Sequence, residues 1–255
     1  MKINRIVLAL CSGLLLVATS CEDNKSTSHY IDGKWDTADI VAGGQLYDKW
    51  WKVNGGTEPT SDFDPIWSTQ SNNTRTGSTT WRCKECHGWD YIGLNGRYSS
   101  GSHYTGFSGV SDAASMDPKD VFDAIKDAGG NHDLSNVLSD DDVMNLAKFI
   151  VDGTFDVYQY LDETTYASNG DTVNGATLYT SNCAVCHGAD GNTFDFESED
   201  GVQGIGWLSN DNPQEVFHKI HWGNPGSNPV MPSMVHEGLT DQEMADILAY
   251  CQTLN

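Results

Sequence analysis

One pentapeptide pattern, present twice, constrains this chain more than anything else in it. Cys83-Lys84-Glu85-Cys86-His87 is answered one hundred residues later by Cys183-Ala184-Val185-Cys186-His187. Two cysteines at i and i+3 share a helical turn, so each thiol can reach one vinyl group of a haem while the adjacent histidine turns its ring toward the iron. A bare Cys-X-X-Cys fits zinc or a redox disulfide equally well; the appended histidine and the second copy favour covalent haem. A zinc ribbon would also join the two cysteine pairs, whereas each pair here sits in its own helical pattern. The expectation is two covalent haem c groups, held by Cys83 and Cys86 and by Cys183 and Cys186, with His87 and His187 as proximal iron ligands.

The other three of the seven cysteines fall elsewhere. Cys11 lies in an apolar N-terminal run, Cys21 ends it, and Cys251 sits in the last amphipathic segment, where a buried structural thiol is expected. No disulfide framework is needed. Lys2 and Arg5, the apolar stretch Ile6 to Ala18, and Thr19-Ser20-Cys21 read as a signal peptide over residues 1–20, too short for a stable membrane span. Its end resembles a lipobox, with Ala18 where leucine is usual, so Cys21 is the expected lipidation site and residues 21–37 a polar tether. Export agrees with the haem motifs, since covalent haem c is assembled outside the bacterial cytoplasm.

With the two motifs aligned, their flanks align as well. Gly43-Gly44-Gln45-Leu46-Tyr47 answers Asn174-Gly175-Ala176-Thr177-Leu178-Tyr179 in an opening helix. Pro118 to Ile125 answers Pro213 to Ile220 in a second helix with proline in its first turn. Leu138-Ser139-Asp140-Asp141-Asp142 answers Leu239-Thr240-Asp241-Gln242-Glu243, each close to a capping box. Behind these caps, Val143, Leu146, Ala147 and Ile150 form one apolar stripe, and Met244, Ile247, Leu248 and Cys251 the other. The predicted fold is all-α, two tandem small helical domains: domain 1 over 38–152, a linker over 153–172, and domain 2 over 173–255. Residues 52–80 are an insertion expected to wrap the first domain as an ordered loop. Trp50, Trp51, Trp67 and Trp81 are expected to pack around the haem, with an electron-relay chain as the alternative.

On these motifs the chain resembles the class I c-type cytochromes, over roughly 40–152 and 170–255. The resemblance implies a distal ligand from the loop before each closing helix. In the second repeat that loop is Asn228-Pro229-Val230-Met231-Pro232-Ser233-Met234, making Met231 the expected ligand and Met234 its alternative. The first repeat has no methionine at the matching place. Met231 lies 44 residues after His187, and His132 lies 45 after His87, so His132 is the leading candidate there. His103, Met116 and an open site are the alternatives. His29, His218, His221 and His236 are expected to be solvated or to meet propionates. A His/His iron in the first domain and a His/Met iron in the second would give the second the higher potential.

A net charge of −22 argues against nucleic acid or an anionic membrane surface as partner. It fits a redox partner protein with a basic docking patch, and equally a need for solubility. The acidic run Asp190 to Asp200 departs from EF-hand spacing after Asn192 and reads as a solvated loop. No phosphate-binding glycine loop, Gly-X-Ser-X-Gly or His-Glu-X-X-His occurs. The expected function is single-electron relay by an exported, lipid-anchored dihaem cytochrome on the periplasmic side of a membrane or at the cell surface. The alternatives are a dihaem oxidoreductase, thiosulfate dehydrogenase- or peroxidase-like, and an electron-transfer subunit of a larger respiratory complex.

Overall fold

The computed structural model describes residues 31, 33–127, 130, 132–196 and 202–254. The predicted signal peptide, Cys11, Cys21 and His29 lie outside the described residues. Helices α1 (Ile40–Val53), α2 (Cys83–His87), α3 (Pro118–Lys126) and α4 (Asp140–Lys148) occupy the first half. The second holds α5 (Thr172–Asn182), α6 (Ala184–His187), α7 (Ile205–Asp211), α8 (Pro213–Trp222) and α9 (Asp241–Cys251). Among the described residues there is no β-strand, only three isolated bridges, so the fold class is all-α as expected. None of these helices is long and apolar enough to cross a membrane.

The same contacts recur in both halves. Asp39 and Asp171 cap α1 and α5, each accepting from two backbone amides of the first turn. Ser139 with Asp142, and Thr240 with Glu243, form the two capping boxes read from the sequence. Opening and closing helices cross where glycine permits contact: a Cβ on Gly43 would fall on the Asn145 carbonyl, and one on Gly175 on that of Asp246. Beside each crossing the closing helix clasps the cap of its partner, Asp39 N–H donating to Asn145 Oδ1 at 2.8 Å and Asp171 N–H to Asp246 Oδ1 at 2.7 Å. Both predicted apolar stripes are buried.

The halves meet across α1 and α8. Helix α3 buries one face, through Val121, Phe122 and Ile125, whereas α8 also buries Gln214, His218, His221 and Trp222. Gly44 lets the Trp222 indole lie against α1, and Gln45 Nε2 donates to the Trp222 carbonyl at 2.9 Å. The stretch 153–172, expected as a linker, packs on this seam: Val157 and Leu161 are buried, and the Phe155 ring stacks on His221 at 4.5 Å. Two expectations are corrected here. The end of the tether is not free, because Ile31 is buried in the core and Lys34 pairs with Asp141 at 3.1 Å. His218 and His221 are not solvated, because apolar packing of α8 against the first half covers both.

Asp48, fully buried in α1, pairs with the Arg82 guanidinium beside the first haem motif. Burial alone would raise this carboxyl; Arg82, then Lys219 and Lys49, more than offset that and hold it at about 2. A carboxylate held below its unfolded value of about 3.9 stabilises the fold above that pH and loses this contribution as pH falls toward 2. Chemical denaturation between pH 5 and 2 should therefore show an acid-side loss of about 2 kcal/mol that is missing in Asp48→Asn. Gly175→Ala and Gly43→Ala should each cost about 2–3 kcal/mol by overpacking. Gly33→Ala, which opens onto free space, should leave the melting temperature unchanged.

Candidate haem sites

Each Cys-X-X-Cys-His segment forms a short helix that stops at a glycine with positive φ, Gly88 at 80° and Gly188 at 81°. A tyrosine from the opening helix fixes that stop: Tyr47 Oη donates to the Gly88 carbonyl at 2.7 Å and Tyr179 Oη to the Gly188 carbonyl at 2.8 Å. The orientation of both histidine turns thus follows from the helix crossing.

The second motif opens on a cavity of about 320 Å³. Cys183, Cys186 and His187 line it together with Met231, Met234 and Lys219. Met231 is held by its backbone, its N–H donating to Ser227 Oγ at 2.9 Å and its carbonyl accepting from Asn224 N–H at 3.3 Å. Met234, almost fully buried, belongs also to the hydrophobic core. Cys251 is the buried thiol expected, but it lines this cavity too; burial, then nearby Cys183, pushes it well above the ordinary thiol value.

The first motif opens on a tighter cavity of about 150 Å³, lined by Cys83, Cys86, His87 and His132, with Phe63 and Ile66 of the insertion and Trp81. The His87 and His132 rings lie 5.7 Å apart at 28°. His87 Nδ1 lies 2.6 Å from the Ser108 carbonyl, which can only accept, so the proton sits on Nδ1 and Nε2 is left to bind metal. Burial, with His132 adding to it and the Ser108 bond opposing, lowers His87 to about 4, and burial lowers His132 and His187 as well. All three are neutral imidazoles near pH 7, the form that ligates iron.

His103 and Met116 are not brought to this cavity. His103 joins a buried ionic cluster, its Nδ1 2.9 Å from Glu85 Oε1 and its Nε2 2.8 Å from Arg75, with its ring stacked on Tyr98 at 4.6 Å. Met116 is 46% exposed. Of the four tryptophans, Trp81 lines the cavity, Trp50 packs edge to face with both Trp81 and Trp51, and Trp67 is buried within the insertion.

These residues fit haem c. Both cavities combine a thiol pair and an adjacent imidazole with a further axial donor, and His187 Nδ1 is a buried polar atom without a partner among the described residues. The cysteine pairs sit in separate cavities, which removes a shared zinc site. The surroundings differ in one respect. Lys84 and Glu85 are buried beneath the Asn73–Arg75 and His103 loops, whereas Val185 is 87% exposed, and Val230 and Phe196 add exposed apolar surface at the second mouth. That burial was not legible, since a Lys-Glu pair reads as solvated surface.

The cytochrome c family model matches residues 172–255. A cytochrome c-553-like protein of Synechocystis sp. is 34% identical over 88 residues, covering 34% of this chain and 73% of that relative. No solved structure matches. With a helical turn carrying Cys183, Cys186 and His187 in a cavity shared with Met231, and a relative aligned over most of its length, the chain belongs to the cytochrome c family.

Proposed function

We propose that the protein is a dihaem c-type cytochrome that takes single electrons from a donor at haem 1 and passes them through haem 2 to an acceptor. The observation that carries this reading is the repeat of one donor set in two cavities: a thiol pair, an adjacent imidazole and a second axial donor. Bound haem supplies an iron that alternates between ferrous and ferric states. The protein's residues hold that iron in place. Cys83, Cys86, Cys183 and Cys186 carry the thioether links, and His87 and His187 present neutral imidazoles from turns fixed by Tyr47 and Tyr179. His132 would supply the further donor to haem 1 and Met231 that to haem 2, and the apolar cavity walls would exclude water and limit rearrangement when the charge changes.

The order of the two sites rests on ligand chemistry, because thioether sulfur favours ferrous iron more than imidazole does. The exposed apolar rim of Val230 and Phe196 would offer the second haem edge to a partner. A partner with an apolar patch inside a basic surround suits this rim on a chain of net charge −22. Lipidation at Cys21 and residence on the periplasmic side of a membrane or at the cell surface complete the proposal.

Low-temperature electron paramagnetic resonance of the oxidised protein should give two low-spin ferric signals, one His/His and one His/Met. A major high-spin signal that moves when a small ligand is added would favour an oxidoreductase instead. In spectroelectrochemical titration, Met231→His should lower the haem 2 potential by on the order of 0.1 V, a small part of the roughly 0.8 V that axial ligands span. Haem 1 should not move; a shift there would reverse the ligand assignment.

A further inference from the structure

Tyr91 has a backbone that few residues of its kind adopt. Its φ is 66°, in the left-handed region that bulky side chains rarely adopt. At the matching turn of the second half stands Gly191, with φ of 76°. The match is set by hydrogen bonding, as Val110 N–H donates to the Tyr91 carbonyl at 2.8 Å and Ile205 N–H to that of Gly191 at 2.9 Å. Where the repeat accepts glycine, the first half carries a strained tyrosine, and such strain persists where the side chain is needed.

The side chain crosses to the second half. Tyr91 Oη lies 2.9 Å from His218 Nδ1, and His218 Nε2 lies 3.2 Å from the Gly44 carbonyl. A carbonyl can only accept, so the His218 proton is on Nε2, and the tyrosine hydroxyl donates to Nδ1. Trp222 Nε1 donates in turn to Tyr91 Oη at 3.3 Å, and the Trp89 ring lies 4.8 Å from the His218 ring. All four side chains are buried.

These residues lie between the two haem turns. Trp89 and Tyr91 are two and four residues beyond His87, and Lys219 and Ile220, the next residues after His218, line the second cavity. We propose that His218, hydrogen-bonded by Tyr91 and packed against Trp89, is the electron link between the haem 1 turn and the haem 2 cavity. One electron passes from one iron to the other; no bond forms or breaks, and the His218 proton stays on Nε2. The inference rests on the dihaem reading and adds the route within it.

The test is pulse radiolysis of the full dihaem protein, timing electron equilibration between the two spectrally distinct haems. Tyr91→Phe keeps the ring and loses only the hydroxyl, and His218→Leu removes the relay ring. Tyr91→Phe should slow equilibration several-fold and His218→Leu more, with both reduction potentials unmoved, which separates a lost route from a changed driving force. Nitrogen-15 NMR should show His218 protonated at Nε2 and accepting at Nδ1, with the Nδ1 signal shifted in Tyr91→Phe. If His218→Leu fails to load haem, Tyr91→Phe and the NMR signal decide alone. Equilibration at the wild-type rate in Tyr91→Phe, or a proton on Nδ1, overturns the proposal. A pyridine haemochrome count of one haem per chain would overturn the dihaem reading and this route with it; two haems with an unchanged rate would overturn the route alone.

Discussion

The bond from a tyrosine hydroxyl to the glycine carbonyl after each Cys-X-X-Cys-His turn is the contact on which the rest of the molecule depends. It ties the opening helix to the histidine turn, and the glycine contact between opening and closing helices ties that helix to the core. Tyr47 and Tyr179 make these bonds at nearly equal lengths, from helices whose Gly43 and Gly175 meet Asn145 and Asp246 in the same way. A buried aromatic residue and a close helix crossing thus hold the turn that carries His87 and the turn that carries His187.

The halves differ where they meet. The double glycine Gly43-Gly44 serves two contacts, one with the closing helix of its own half and one with Trp222 across the seam; the second half needs only the first and carries Ala176 in the next position. Helix α8 shows the same division of labour. One face lines the second cavity through Val216, Lys219 and Ile220, and the other is buried against α1. Cations converge on this seam as well. Arg82, Lys84 and Lys219 all lie within 5.7 Å of the Trp89 ring, Arg82 lining one cavity and Lys219 the other. Their partners Asp48, Glu85 and Glu215 leave the cluster near neutrality at little cost in unpaired charge.

Much of this was legible because it is local. The two Cys-X-X-Cys-His turns, both capping boxes, the two apolar stripes and the proline-led middle helices follow from spacing and residue type, and the internal repeat made each reading count twice. Counting from His87 pointed to His132, whose ring centre the fold places 5.7 Å from that of His87. The burial of His218 and His221 was not read, because it depends on which helix packs beside α8. A signal was nevertheless present: Gln214, His218 and Trp222 replace Lys119, Asp123 and Asp127 of the first repeat, exchanging charge for neutral or aromatic side chains along one helical stripe. Tyr91 was silent for a different reason, since a left-handed tyrosine leaves no pattern in the sequence around it.

The central claim is that both cavities carry covalent haem, and intact-mass spectrometry of the matured protein with peptide mapping addresses it most directly. The account predicts a mass above that of the processed polypeptide by two haems, with one on the peptide containing Cys83 and Cys86 and one on the peptide containing Cys183 and Cys186. A single haem, confined to the Cys183 and Cys186 peptide, would contradict it.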